Sequence, residues 1–592
     1  MADPSNGGTN NPAQPPKEMS MEIRLLIAFL LMGVVMFLTP YFFKSQTPPP
    51  AKKDATAQTS APSGAGGPLA GLAENKVAEN KAAETKAPAA PVVEAVAKPA
   101  LPANATPPKT EAPFIIDTGL YKVTFSNQGA TVRSWELKHY KGNDEKPLDL
   151  VNTVSGMDFP FSLYFPDQKP PVNVNWAWYK QTPEPDGLGV NYEFSDGHVL
   201  VRKTFRFKQG SYIADVSTEV TMDGKPLQHM IQWRGGFGDL TIGTAGGGQR
   251  TLYYNVTENK LVEQAPKAAS KGPLTAGGNF SFAGIADTYF AAVFLSEGGA
   301  SMQQVTFSDT VKTVLPELAT TPLSGVAISA SPANHFELFV GPKDIDMLKT
   351  INPKLEQVVD FGWLSVLAKP LFLVVNYVND VMVHNFGWAI VVVTVAINFV
   401  LFPLKMSNMK SMKKMQALKP QIDAINAKYK NIGIRDPRKG EQNEEVMGLY
   451  KKYGVNPMGG CIPMLIQMPF FFAFYKVFTV SVEMRGANWL WVTDLSQPEH
   501  LAIKVLPVVM IASQFIMQKM TPQAGGDPAQ QKMMMFMPLV FGFMFYNFPS
   551  GLVLYYLTSN LVSMGQQWFF NKTSMAALAS EVIAPPKKNG RK

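Results

Sequence analysis

From Met533 to Asn571 the chain runs 39 residues without a charged side chain, broken near the middle by Phe548-Pro549-Ser550-Gly551. That length holds two membrane spans joined by a tight turn, since a helical crossing takes about 20 apolar residues. The second span, about Gly551 to Phe570, is not uniformly apolar. Tyr556, Asn560, Ser563 and Gln567 recur at steps of three and four and so share one helical face. A polar stripe facing lipid is costly, so this one is expected to look into other helices or a wet cavity.

At 592 residues and 46% hydrophobic the chain is long enough for several domains. Apolar residues concentrate at 25–43 and again beyond 360, with a soluble-looking middle. The net charge of +8 is unevenly placed, and the single cysteine, Cys461, has no internal disulfide partner. A tail over 1–24 leads to an anchor over 25–43, where 19 uncharged residues lie between Arg24 and Lys44 with no small-x-small cleavage site. Residues 44–112 are rich in Ala, Pro and Lys and lack Phe, Trp and Tyr, which makes them a disordered tether.

Over 113–342 the texture changes to short alternating runs split by Gly, Pro, Asn and Asp. Tyr121-Lys122-Val123-Thr124-Phe125 and Val201-Arg202-Lys203-Thr204-Phe205-Arg206-Phe207 are examples. Many such strands in one block predict an all-β sandwich. A connector and interfacial helix follow over 343–384. Its segment 361–379 is long enough to cross, but Lys369-Pro370 at its midpoint places a charge and a helix breaker there, so it is read as lying in the interface.

Five further spans are expected, at about 387–404, 456–482, 503–520, 533–548 and 551–570. With the anchor they make six. The segment Lys405 to Lys452 carries twelve Lys/Arg against five Asp/Glu, a net of +7, which fixes it as cytoplasmic. The β domain is then periplasmic, and both termini, with the basic tail 572–592, are cytoplasmic.

Within the span 387–404, Thr394 and Asn398 sit four apart on one face, and Gln467 lies between Pro463 and Pro469 in the next span. These groups serve as helix–helix glue or, together with the stripe, line a hydrated groove. Two spans are short, 533–548 and 505–518, and short helices thin the bilayer locally. Lys476, nine residues beyond Gln467, points away from that groove. In the cytoplasmic hairpin, 405–455, Met406, Met409, Met412 and Met415 precede Leu418, Ile422 and Ile425 at helical spacing. They form either the seam of the hairpin or a pliable apolar surface for varied partners.

Asn385-Phe386-Gly387-Trp388, Leu401-Phe402-Pro403-Leu404, Asn456-Pro457-Met458-Gly459-Gly460-Cys461-Ile462-Pro463, Gln467-Met468-Pro469 and Phe548-Pro549-Ser550-Gly551-Leu552 occur in order. In these motifs the chain resembles the YidC/Oxa/Alb family of membrane-protein insertases, in its six-span Gram-negative form. The resemblance implies a membrane α-helical fold of six transmembrane helices, five of them forming an insertase core over 385–571. It adds a periplasmic all-β supersandwich and a cytoplasmic helical hairpin. It implies insertion of nascent membrane proteins into the bacterial inner membrane, alone or with SecYEG and SecDF, without a cofactor or enzymatic turnover. A weak ribosome contact would come from the basic cytoplasmic segments. Thr394, Gln467 and Tyr556 match groove positions of the family, and Asn560 and Ser563 extend them. Where the family usually has a groove arginine, this chain has Asn398. Asparagine hydrogen-bonds an acidic tail but exerts no Coulomb attraction, so hydration and bilayer thinning carry more of the work.

A secondary transporter or channel is the alternative, but it calls for inverted repeats or paired intramembrane charges, and the sequence has neither. An anchored sugar-active enzyme is disfavoured because His139, His198, His229 and His335 follow no catalytic or metal-binding spacing.

Overall fold

The computed structural model describes residues 110–142, 144–152, 156–240, 248–296, 301–310, 322–331, 333–429, 438–454, 462–521 and 528–583. The amino-terminal tail, the anchor 25–43, nearly all of the linker 44–112 and the last residues of the basic tail lie outside them.

Among the described residues eighteen strands lie between Pro113 and Pro342. The alternation in the sequence becomes two faces, as strand geometry demands. In Val199–Phe207, Val201, Lys203, Phe205 and Phe207 point inward while Arg202, Thr204 and Arg206 face out. A four-stranded antiparallel sheet, 113–117, 121–126, 131–141 and 147–149 in order, covers one side. The remaining strands join into one long sheet through Leu274–Ala286, which pairs with Ser301–Asp309 along its first half and Phe290–Leu295 along its second. The core between them is dense in aromatic rings, with Phe125, Tyr121, Trp135, Phe161, Phe205 and Phe207 in mutual contact. The expected all-β sandwich is the fold observed.

Among the described residues ten α-helices follow: α1 (Ile345–Ile351), α2 (Ser365–Val378), α3 (Phe386–Val400), α4 (Phe402–Ala417), α5 (Lys419–Lys428), α6 (Arg438–Lys452), α7 (Ile462–Val480), α8 (Val505–Met520), α9 (Pro528–Phe545) and α10 (Ser550–Ile583). Pro370 lies within its helix without breaking it. α2 and the turns flanking it run without interruption from Gly362 to Val383, 22 residues, and among the described residues this is the one continuous helix long and apolar enough to cross a membrane. Lys369 is paired with Glu356 at 3.1 Å. Ala368, Leu371, Phe372 and Val375 of α2 are buried, on the side that packs against α7 and α3, while Val366, Val374 and Tyr377 are exposed. α3 and α4 meet at Leu401 with a 58° bend and form one broken candidate span. α7 and α8 are apolar but short, so six crossings are more than length and composition alone register.

The loop between α7 and α8 seats the outer ends of the bundle. Gly387 lies under Trp489, whose ring would stand 2.2 Å from a Cβ, so only glycine admits that approach. Asn385 caps α3 by accepting from Trp388 N–H and donates to Asn488 O at 3.0 Å. Ser550 donates from its hydroxyl and its N–H to Gln497 O, both at 2.8 Å, and Gly551 N–H donates to Leu495 O at 2.9 Å. The Phe-Pro-Ser-Gly break is therefore a docking point as well as a turn.

A small apolar cluster joins α4, α5 and α6. Met415, Leu418 and Ile422 pack with Tyr450, flanked by Val446, Leu449 and Tyr453. Tyr429 donates to Glu445 at 2.9 Å, and Lys428 pairs with the same carboxylate. The turn 430–437 between them lies outside the described residues.

Candidate functional site

Asn398 is the hub of a polar cluster inside the bundle. It stands one turn before the α3–α4 break and is buried, as is Thr394 one turn earlier. Thr394 donates to Ile390 O at 2.6 Å, and Asn398 Nδ2 donates to Thr394 O at 2.8 Å, so both are tied to their own helix. The Asn398 carboxamide oxygen accepts from Lys405 Nζ at 2.5 Å and from Ser559 Oγ at 3.3 Å. Gln566 Nε2 donates to Asn398 O at 3.1 Å, and Lys405 Nζ also donates to Ser563 Oγ at 3.0 Å. Three helices, α3, α4 and α10, thus meet through side chains rather than through backbone pairing.

This geometry corrects the expectation that a missing arginine leaves the site without charge. Lys405 is 8% exposed, and its ammonium reaches back from α4 to the Asn398 side chain. The sequence assigned Lys405 to the solvated cytoplasmic segment because it follows an apolar run. The bend at Leu401 re-aims it inward.

The stripe on α10 divides among three neighbours instead of lining one wall. Tyr556 packs on Phe545 of α9 with ring centroids 4.9 Å apart. Asn560 Nδ2 donates to Ser513 Oγ of α8 at 3.0 Å, Ser563 accepts from Lys405, and Gln567 Nε2 donates to Asn571 Oδ1 at 3.1 Å. Gln467 donates to the Tyr555 hydroxyl, not to Tyr556. Tyr555 is itself fully buried on Phe474, ring centroids 4.2 Å apart. Asn398 and Ser563 are brought together; Gln467 and Tyr556 are not part of that network. Asn398, Asn560 and Ser563 are buried and bonded to protein, so the polar groups are closed over in this conformation.

Ser559, Gln566, Tyr555, Ser513 and Lys405 escaped the sequence reading. The first two lie a quarter turn from the stripe, where only the position of α3 makes them relevant. Gln566 Oε1 and Asn408 Oδ1 are buried without a hydrogen-bond partner among the described residues. Lys476 passes over Gly362, its Cε 3.2 Å from where a Cβ would stand, on the contact between α7 and the start of α2. Of the methionines, Met409 and Met415 are buried and Met406 and Met412 half-buried; Met415 sits in the hairpin seam.

A second polar contact joins the β domain to the bundle. Arg485, in the loop after α7, pairs with the buried Asp239 at 2.5 Å, donates to Lys141 O at 2.7 Å and lies over the rings of Tyr289 and Phe290. Nearby, burial and the carboxylates of Asp344 and Asp346 push Glu483 up to about 8. Among the described residues no cluster of His, Cys, Asp and Glu is arranged to hold a metal ion.

The sequence family described as 60Kd inner membrane protein matches residues 377–577, and the YidC periplasmic domain matches residues 114–374. A Pelobacter propionicus protein named membrane protein insertase YidC is 34% identical over 577 residues, covering 93% of this chain and 99% of its own. One of the same name from Cupriavidus necator is 35% identical over 511 residues, covering 82% of this chain and 87% of its own. The solved structure described as active YidC insertase with the first transmembrane domain resolved superposes with a TM-score of 0.35. Its identity is 18%, over 78% of this chain and 94% of that one.

Proposed function

We infer that this chain, which belongs to the YidC family of membrane protein insertases, moves nascent membrane segments and their short polar tails into the inner membrane through the polar cluster between α3 and α10. The observation that carries the mechanism is the set of side-chain bonds among Asn398, Lys405, Ser559, Ser563 and Gln566 inside an otherwise apolar bundle. Side-chain hydrogen bonds between helices are worth only about 0.6 kcal/mol on average in membranes. An incoming polar tail therefore replaces them one by one at little cost. The tail exchanges water for amide, hydroxyl and ammonium groups, and its apolar segment leaves sideways along α3 and α10 into lipid.

The short helices support local thinning. α8 has 16 residues, or about 24 Å of helix against a hydrocarbon layer of about 30 Å. A thinner layer shortens the path that the polar tail crosses.

The topology proposed is six spans with both termini cytoplasmic, the hairpin of α4, α5 and α6 in the cytoplasm, the β domain in the periplasm, and α2 in the interface with Trp363 and Lys369 at headgroup depth. The net +7 of Lys405 to Lys452 supports that orientation. SecYEG, SecDF and a weakly held ribosome are the proposed protein partners. Met406, Met409, Met412 and Met415 contribute a repackable surface only if the hairpin opens, because two of the four are buried.

The test reconstitutes the full chain into phosphatidylethanolamine–phosphatidylglycerol vesicles and offers a single-span substrate with a short polar tail. Protease protection of the tail is the expected result. A vesicle that instead gains small-solute flux, with no tail protected, supports the transporter alternative.

A further inference from the structure

We propose that the turn Trp489–Val492, in the loop between α7 and α8, is a membrane-dipping tip that seats Leu490 and Trp491 among the lipids of the outer leaflet. The proposal rests on the topology proposed above, which puts this loop on the periplasmic side.

Its basis is a strained turn that holds apolar side chains outward. Trp489 and Val492 exchange two backbone hydrogen bonds, each 2.8 Å, and so close a two-residue hairpin turn with Leu490 and Trp491 at its tip. Leu490 has φ of +50°, in the left-handed region that such turns normally give to glycine. Its side chain is 65% exposed, so packing within the chain does not offset the strain. Trp491 is 44% exposed, yet it is held in place. Its Nε1–H donates to the buried Glu499 at 2.6 Å, and the other Glu499 oxygen accepts from Leu506 N–H at 2.9 Å, at the start of α8. A leucine kept outward against strain and a tryptophan kept outward by a buried carboxylate are both stabilised by a surface outside the chain.

Three observations identify that surface as lipid. No charged side chain lies between Arg485 and Asp494. The tip stands level with helix ends: Trp489 lies on Gly387 and on the half-exposed Trp388, both in the first turn of α3, with the two indoles 5.6 Å apart. Leu501, which shares a small cavity with Trp491, and Ile503 are exposed just before α8. Beside them Lys504 lies 4.6 Å from the centre of the Tyr546 ring and donates to Tyr546 O at 2.9 Å. Tryptophan, tyrosine and lysine gather in this way where a span meets the headgroups. Seated there, the tip fixes the depth of α3 through Gly387 and of α8 through Glu499.

The experiment uses the full chain in the vesicles described above, with Cys461→Ser and a spin label at Leu490→Cys or, as control, at Val256→Cys, an exposed apolar position of the β domain. Oxygen concentrates in lipid and a polar nickel chelate stays in water, so the ratio of their collision rates with the label reads depth. The ratio at 490 is expected to be on the order of tenfold above that at 256, as for a group about 5–10 Å below the headgroups. Leu490→Gly suits the turn better than leucine. With the label moved to Leu501→Cys, it is expected to keep the thermal midpoint and to lower the ratio at 501 by about twofold or more. Equal ratios at 490 and 256 overturn the proposal. A ratio at 490 that rises only when a second protein is added overturns it too, and makes the tip a protein-docking face. A midpoint lowered by Leu490→Gly, with the ratio at 501 unchanged, makes Leu490 a packing residue and also overturns it. The topology is read separately, with a membrane-impermeant reductant and labels at Val256→Cys and Lys419→Cys. Reduction of both from the same side contradicts the topology and takes the proposal with it.

Discussion

Lys203 and Asp287 in the β domain and the cluster around Asn398 in the helical bundle are buried polar sites satisfied in opposite ways. In the sandwich, Lys203 donates to three backbone carbonyls, Gly129 and Phe161 at 2.7 Å and Ala130 at 3.3 Å. Asp287 accepts from the backbone N–H groups of Asp239, Tyr289 and Phe290. Backbone partners are fixed by the strand ladder and cannot turn away. In the bundle, Asn398, Lys405, Ser559, Ser563 and Asn560 bond chiefly to other side chains, which rotate. One region is locked by its hydrogen bonds. The other is held by bonds that a guest can replace.

That contrast can be broken most severely at the contact between the two regions. Arg485→Ala removes the guanidinium that pairs with the buried Asp239 and is expected to cost about 3–5 kcal/mol at that contact. Faster hydrogen exchange in the loop 481–490 is the readout, and unchanged exchange contradicts the pairing. Next comes Lys203→Ala, which leaves three carbonyls without a donor and is expected to cost about 3 kcal/mol. The expected signature is protease nicking of the β domain at lower temperature while insertion by surviving molecules stays normal.

Asn560→Ala and Ser563→Ala are expected to be milder, about 1 kcal/mol or less each in stability. Their effect belongs on insertion, where loss of the exchangeable groups slows polar tails. A large loss of thermal stability with normal insertion would put the bundle in the same class as the sandwich.

The smallest effect is a pH dependence in the loop. Glu483 titrates near 8 in the fold against an ordinary 4.5, so the folded protein holds a proton that the unfolded chain has lost between those values. The contribution is complete below pH 4.5 and is lost as pH rises through about 8. The wild-type thermal midpoint is expected to decline over that window relative to Glu483→Gln, which has no carboxyl to titrate; parallel profiles contradict the shift.

The sequence made some of this visible and hid the rest for physical reasons. Strand alternation exposed the sandwich because period two survives in any register of pairing. It even marks Lys203, a lysine at an inward position between Val201 and Phe205, although its carbonyl partners lie 42 to 74 residues away. The uncharged run and its Phe548-Pro549-Ser550-Gly551 break exposed α9 and α10. Lys405 was hidden because a charge after an apolar run reads as the end of a span, and only the bend at Leu401 turns it back. Tyr555 was hidden by its neighbour: Tyr556 shares the stripe, but Gln467 approaches from the adjacent direction. The pairing of Arg485 with Asp239 spans 246 residues and leaves no local trace.

The most direct measurement places a photocrosslinker at Asn398, Ser563 and, as the locked-region control, Lys203, in the full chain engaged with a stalled nascent membrane protein. Adducts to the nascent chain from 398 and 563, with none from 203, are the predicted result. Adducts to lipid alone from 398 and 563 would contradict an exchangeable polar path through the bundle.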